Sequence, residues 1–288
     1  ISARYEIRFP YSLVVDLIVL IQPINSITMY SSYIFKEDTI MSRLKWDETG
    51  KRYYETGVSN GVLFVYDPTA NDGAGAYGDG VAWNGLSNVT ESPSGAEASD
   101  IYADNIKYLS LLSAETYGAT IEAYMYPDEF KACNGEASIA AGAGKLTVGQ
   151  QSRATFGFAF KTLIGNDTQG TDAGYKITLV YGCKATPSEK AHATVNESPE
   201  AATMSWTINT TPVNVGTING VEYKPTATVV VDSRDYQSSD ALKAALKNFE
   251  DHLWGRDADS SASPAVEALT PSFPDIATAI QWLTPAQG

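Results

Sequence analysis

The chain has 288 residues, with 20 Lys+Arg against 34 Asp+Glu, a formal net charge of −14, 43% apolar residues and only 19% charged ones. That much apolar material can bury a core, which excludes a disordered chain, and the 23 Gly and 17 Tyr argue against a helical bundle. The acidity excludes a simple nucleic-acid binder, which gains affinity by setting Lys and Arg on phosphates, and no run of even four basic residues occurs.

Residues 1–40 contain no Gly and are rich in Ile, Leu, Val and Tyr, whereas from Met41 the chain becomes Gly-, Thr- and Asp-rich. A signal peptide fits poorly, because Glu6 and Asp16 interrupt the apolar run and no small-x-small cleavage site follows. Codons for Lys36-Glu37-Asp38 can contain a ribosome-binding sequence at an ordinary spacing before Met41. The expectation for 1–40 is therefore translated upstream sequence or a disordered extension, with an N-terminal strand pair as the remaining reading. The apolar run from Leu13 to Ile21 contains Asp16 and falls short of the ~18–20 residues a spanning helix needs, so no membrane partner is expected.

Residues 41–288 read as a single domain. It comprises an N-terminal arm at 41–60, a β-sandwich at 61–235, a helix at 239–254 and a C-terminal arm at 256–288. GVLFVY at 61–66 is a β-branched and aromatic run that predicts a strand. Asp67–Gly80 is Gly-rich and reads as a flexible loop. Asn88–Asp104 reads as a second long loop, carrying Glu91, Glu97, Asp100 and Asp104; structureless loops of this length are usually functional or disordered.

Further along, period-two alternation marks half-buried strands. Ile121, Ala123 and Met125 share one face. Phe156, Phe158 and Phe160 share another, with Gly157 and Ala159 opposite. Tyr175, Ile177, Leu179 and Tyr181 repeat the pattern after a hairpin loop at 165–174, and so do Met204, Trp206 and Ile208. TATVVV at 226–231 predicts a further strand. From Ser239 to Trp254, Leu242, Leu246, Phe249 and Leu253 form one helical stripe, with Ser239 as cap and Gly255 as stop. Arg256–Pro264 is a polar linker, and a short second helix is predicted over Pro274–Leu283.

Candidate chemistry is sparse. AAGAGKLTVG at 140–149 fails the Walker pattern, since Leu146 follows Lys145 where Ser or Thr is required; a flexible hairpin loop is the expectation. Asn166–Asp172 is oxygen-rich but lacks the spacing and terminal Glu of a calcium loop, so turn chemistry explains it. His192, on an expected strand, and His252, near the helix end, have no motif partner. Cys133 and Cys183 form no CxxC or zinc pattern and are expected as reduced thiols. No catalytic residue, metal ligand or cofactor is expected. What recurs is Thr- and Tyr-rich strand surface with many edges, an asset when copies of a chain pair with one another.

Several long stretches resemble one family, the major tail tube protein of long non-contractile-tailed phages and prophages of Gram-positive hosts. They are MSRLKWDETGKRYYETGVSNGVLFVYD at 41–67, GVAWNGLSNVTESPSGAEASDIYADNIKYL at 80–109, ATIEAYMYPDEF at 119–130, the whole of 155–213, and YKPTATVVVDS at 223–233 with the helix after it. The resemblance implies a mainly β fold: a β-sandwich or partial barrel of two sheets with one flanking α-helix and extended arms. It further implies hexameric rings that stack into a tube around a tape-measure protein, capped by tail terminator and distal tail proteins. DNA would pass through the bore without specific binding, in a virion tail assembled in the bacterial cytoplasm, with no reaction catalysed. By analogy, Trp46, Trp83, Glu91, Glu97 and Tyr102 are the candidates for contacts between subunits and rings. For Trp46, Trp83 and Tyr102 the competing expectation is that they cap the protomer's own core. The alternative function is a ligand- or carbohydrate-binding β-sandwich module of the adhesin type.

Overall fold

The computed structural model describes the backbone of residues 3–8 and 14–19, and residues 44–192, 194, 201–261 and 265–285 in full. The chain divides into two units, Ile1–Trp46 and Asp47–Gly288. In the first, β1 (Ala3–Arg8) and β2 (Val14–Val19) pair antiparallel, which is the strand-pair reading of the N-terminus. The Lys36–Met41 segment lies outside the described residues.

The second unit begins with β3 (Tyr54–Asp67), the turn α1 (Ala70–Gly73), β4 (Ala76–Tyr77), β5 (Val81–Trp83) and β6 (Leu86–Glu91). There follow β7 (Ala98–Ala103), β8 (Ile106–Leu112), β9 (Gly118–Ala123), the turn α2 (Lys131–Asn134), β10 (Ala137–Ala141) and β11 (Gly144–Val148). Then come β12 (Phe156–Asn166), β13 (Gly170–Pro187), β14 (Met204–Thr210), β15 (Gly216–Ile218), β16 (Val221–Tyr223), β17 (Thr228–Asp232), α3 (Asp240–Trp254) and α4 (Ile276–Leu283).

The protein is mainly β. Nine strands form one antiparallel sheet in the order β4-β3-β12-β13-β14-β9-β6, with β17 on β13 and β5 on β3. The two expected sheets are thus halves of one bent sheet. The bend lies at Gly182. Up to Val180, β13 pairs with β17; from Cys183 onward it pairs with β14. Gly182 has φ +59°, the left-handed conformation of a glycine bulge, and a Cβ there would sit 2.3 Å from the Thr211 carbonyl oxygen. At the far end β6 comes back against β3, where Leu86 packs on Gly61. No ladder joins β6 to β3, so the barrel stays open.

Bending makes two cores. The inner one holds Leu63, Trp83, Ile121, Phe130, Phe156, Phe158, Phe160, Met204, Trp206 and Ile208. The second lies on the opposite face, where Phe64, Ile177, Leu179 and Tyr181 meet α3 through Leu246, Phe249 and Leu253. Strand β12 is buried on both faces because its large and small residues alternate. Its phenylalanines fill the inner core, while Gly157 leaves room for the Phe273 ring, to which a Cβ at 157 would come within 2.7 Å.

Ser239 caps α3, accepting the Leu242 amide at 3.2 Å, and Asp275 caps α4, accepting the Thr278 amide at 2.7 Å. The stretch expected as a C-terminal arm does not extend. It bridges back on itself at Arg256–Leu269 and Asp259–Val266, then buries Phe273, Ile276 and Ala279. These apolar groups complete the second core, which α3 alone leaves uncovered. Trp282 stacks on His252 at 4.4 Å, and the His252 ring nitrogen Nδ1 lies 2.7 Å from the Asn248 carbonyl oxygen.

The expected N-terminal arm is also strand for part of its length, since β3 starts at Tyr54. Ahead of it, the Gly50 amide donates to Asp167 Oδ1 at 2.9 Å, and Asn166 Nδ2 donates to the Gly50 carbonyl at 3.2 Å. The hairpin loop expected at 165–174 shrinks to a tight turn. Asn166 Oδ1 accepts the amides of Thr168 and Gln169 and lets the strands run on. Those oxygens serve the turn, and among the described residues no cluster of three His, Cys, Asp or Glu could hold a metal ion. His192 lies in exposed coil, not on a strand: β13 ends at Pro187, and the Ser188 amide still bonds the Ser205 carbonyl at 3.0 Å before the chain leaves the sheet. The 140–149 stretch is the β10–β11 hairpin turning at Gly142. Cys133 and Cys183 are free and buried; burial pushes the Cys133 thiol up to about 12 and Cys183 higher, which makes both inert.

Glu250 of α3 meets the sheet at Tyr175 of β13. Burial holds the Glu250 carboxyl above its ordinary 4.5, while the Tyr175 hydroxyl, which donates to it, and Lys161 and Lys247 partly offset the rise. Such a carboxyl binds its proton more tightly folded than unfolded, so its contribution to stability falls as pH rises from about 4.5 through the raised value. Glu250→Gln removes this dependence. Across that interval the urea midpoint of the variant should therefore rise with pH relative to that of the parent.

Candidate self-association surface

The 88–104 segment, expected as a loop, is the root of a β-ribbon. β6 and β9 pair from Leu86–Ala123 to Glu91–Ala119. The two chains continue together beyond the sheet through the Ser92 amide to the Gly118 carbonyl and the Ser94–Thr116 bridge. Gly95 (φ +88°) and Ala96 (φ +56°) redirect the ribbon, and the Glu97 amide donates to Ser113 Oγ at 3.1 Å. From there β7 and β8 pair alone, Ala98 opposite Leu112 through Ala103 opposite Ile106. The connection is two residues, Asp104 and Asn105, at φ +50° and +62°. Positive φ at both positions is the type I′ turn that matches the strand twist.

Cross-strand partners share a face. One face of this hairpin carries Ile101 with Leu109, Ala103 with Ile106, and Leu111 beside Ser99. The other carries Tyr102 with Lys107, Asp100 with Ser110, and Leu112. Lys107 Nζ lies 2.7 Å from Asp100 Oδ1, and this hydrogen bond, with that from Ser110, holds the Asp100 carboxyl below its ordinary value. Exposed pairs of this kind add little stability.

The apolar side chains are not covered: Tyr102 is 68% exposed, Leu111 54% and Leu112 75%. Among the described residues each strand pairs only with the other, which leaves both outer edges without a neighbouring strand. A two-stranded hairpin is marginal in water, and contiguous exposed apolar surface marks an interaction site. Two smaller hairpins repeat the theme. Ile139 faces Leu146 across β10–β11, and Val221 and Tyr223 are exposed on β16.

Of the five candidate residues, the ribbon gathers three. Glu91 ends β6 beside Tyr117, whose phenol is raised by burial and then by the Glu91 carboxylate. Glu97 is at the hairpin's base and Tyr102 near its tip. Trp83 is not at the surface. It is 3% exposed in the inner core, against Phe130 at 4.5 Å and Trp206 at 5.7 Å, with its indole N–H donating to the Met125 carbonyl at 2.9 Å. Burying the indole on three neighbouring rings outweighs any contact it could offer outside. Trp46 is exposed and belongs to the first unit. Ile101, Ile106, Leu109 and Leu111 were missed. Their alternation around Asp104-Asn105 is the hairpin signal that the Gly, Ser and acidic content upstream obscured.

No protein-family model matches the chain, and no curated protein matches it. Among solved structures, a chain of the cryo-EM structure of the anti-feeding prophage (AFP) baseplate, 6-fold symmetrised, overlaps 65% of this chain and 97% of its own length. Sequence identity is 8% and the TM-score 0.24, short of a shared fold.

Proposed function

We propose that the chain is a structural subunit of a phage tail tube, built to assemble with copies of itself into stacked hexameric rings through which DNA leaves the virion. The observation that carries this reading is the β7–β8 hairpin, which exposes an apolar face that no described residue covers and which the β6–β9 stem carries beyond the sheet. An unpaired apolar ribbon is a hazard on a monomer and a ready contact on a subunit; a neighbour can add a strand to its edge and cover its apolar face. Head-to-tail contacts of this heterologous kind close into rings where the rotation between neighbours closes. The sequence resemblance supplies the tube, the tape-measure protein inside it and the terminator and distal tail proteins at its ends.

The net charge of −14 fits that role. DNA sliding through a bore must not be held, and carboxylates repel phosphate where Lys and Arg would bind it. Screening confines the effect to about 8 Å at physiological salt, so only bore-lining residues matter. No catalysis is part of this reading.

Negative-stain electron microscopy of the purified full chain tests it. Rings or hollow tubes are expected, with Asp and Glu outnumbering Lys and Arg on the inner wall of a reconstruction. A chain that sediments as a monomer at every concentration, or a tube with a net-positive bore, overturns it.

A further inference from the structure

A cleft of about 460 Å³ opens on the second core, away from the ribbon, between the α1–β4 segment, β13, residues 213–214 and the start of α4. Its volume falls in the range of small-molecule sites. Aromatic rings form the floor: Phe273 lies 4.7 Å from Tyr77 and 4.8 Å from Tyr181, and Trp282 stands on the wall. Tyr181 is 1% exposed, and its hydroxyl is buried with no hydrogen-bond partner among the described residues. A buried phenol is ordinarily bonded, so a donor left unmade against a cleft points to a group that enters from outside. Its phenol is raised by burial first, then by the Tyr77 hydroxyl and the Asp275 carboxylate, and all three residues line the cleft.

The lining selects the ligand class. Asp275 is the one charged side chain on the cleft, so an anion is repelled. Asp275 also caps α4 through the Thr278 amide and is an exposed residue, so water screens its charge and makes it a weak site for a cation. The other polar side chains are phenols, hydroxyls and the Asn71 and Asn214 amides, types that both donate and accept, though Asn214 Oδ1 already takes the Gly216 amide. They match ligand groups that also do both, namely alcohols, and the rings of Phe273 and Trp282 offer flat apolar surface to a carbon framework. We infer that this cleft is a binding site for a neutral sugar, with the Tyr181 hydroxyl bonded to one of its oxygens. The inference does not depend on assembly, and its test reads binding, not tube formation.

Saturation-transfer NMR on the full chain tests it with the methyl glycosides of glucose, galactose, N-acetylglucosamine and rhamnose, and with tetramethylammonium as the cationic probe. At least one glycoside should take up saturation from the protein. Tyr181→Phe keeps the ring and removes only a hydroxyl that bonds nothing in the fold. It should leave the melting temperature equal or higher while weakening that glycoside roughly tenfold, the loss expected for one hydrogen bond. Three results overturn the site: no transfer to any glycoside, equal affinity in Tyr181→Phe, or transfer to tetramethylammonium alone.

Discussion

Trp83→Ala lowers the free energy of unfolding by about 3–5 kcal/mol, the range for truncating a buried aromatic. The indole touches Phe130, Phe158 and Trp206, so its removal leaves a cavity at the centre of the inner core. It also strands the Met125 carbonyl, which accepts the indole N–H at 2.9 Å. Equilibrium urea unfolding of the variant, followed by the remaining tryptophans, measures the loss. A cost below about 1 kcal/mol, within the scatter of surface substitutions, would return Trp83 to the surface role first considered for it. Trp83→Phe, which keeps ring contacts but drops the N–H, should fall between the two.

Leu109→Glu has the opposite signature. Leu109 sits opposite Ile101 on the apolar face of the β7–β8 hairpin, and every residue of β8 is exposed. Monomer stability should therefore change by no more than about 0.5 kcal/mol. Assembly should be abolished, because a carboxylate buried against a neighbour's apolar surface has no partner there. Analytical ultracentrifugation and electron microscopy read the second effect, and thermal melting reads the first. Tyr102→Ala, on the other face beside Lys107, should weaken assembly without abolishing it. If Leu109→Glu melts the protein as severely as it blocks assembly, the hairpin is a folding element and not a contact surface. Lys243→Glu, on the outer side of α3, is the matched charge control: it should alter neither property appreciably, though it breaks an exposed pair with Asp240.

The two substitutions separate residues that look alike in the sequence. Trp83 and Tyr102 are both aromatic, both set among Gly, Ser, Asn and Asp, and both carry a polar handle. Nothing in their immediate neighbours says that Trp83 is enclosed by three rings while Tyr102 is open to water. That difference arises because β5 pairs with β3 over the inner core, whereas among the described residues β7 and β8 pair only with each other. Leu109 and Leu111 were hidden for a related reason. Their alternation is ordinary strand pattern, and an apolar strand face is read as buried until the topology shows that nothing lies on it.

Much of the architecture is local and therefore legible. Alternation placed β9, β12, β13 and β14, because a strand with one buried face must repeat every two residues. The stripe from Leu242 to Leu253, with Ser239 and Gly255 at its ends, gave α3 almost residue for residue. Phe156, Phe158 and Phe160 were assigned one face and do share the inner core. The bend at Gly182 was not legible, since one glycine among 23 announces nothing. Nor was the return of residues 265–285, whose docking depends on the space that Gly157 leaves beside Phe273. The Tyr181 hydroxyl belongs with these: its place in the alternation was clear, but not the cleft in front of it.

By itself, then, the sequence determined a mainly β protein with a capped amphipathic helix and an acidic surface, because backbone periodicity, capping and charge are properties of short stretches. Only the tertiary structure decided that the sheet is one bent layer, that Trp83 is core, that the β7–β8 ribbon is uncovered and that Tyr181 meets a cleft. Each of those depends on which distant segments come together, and burial is set by neighbours that no local pattern names.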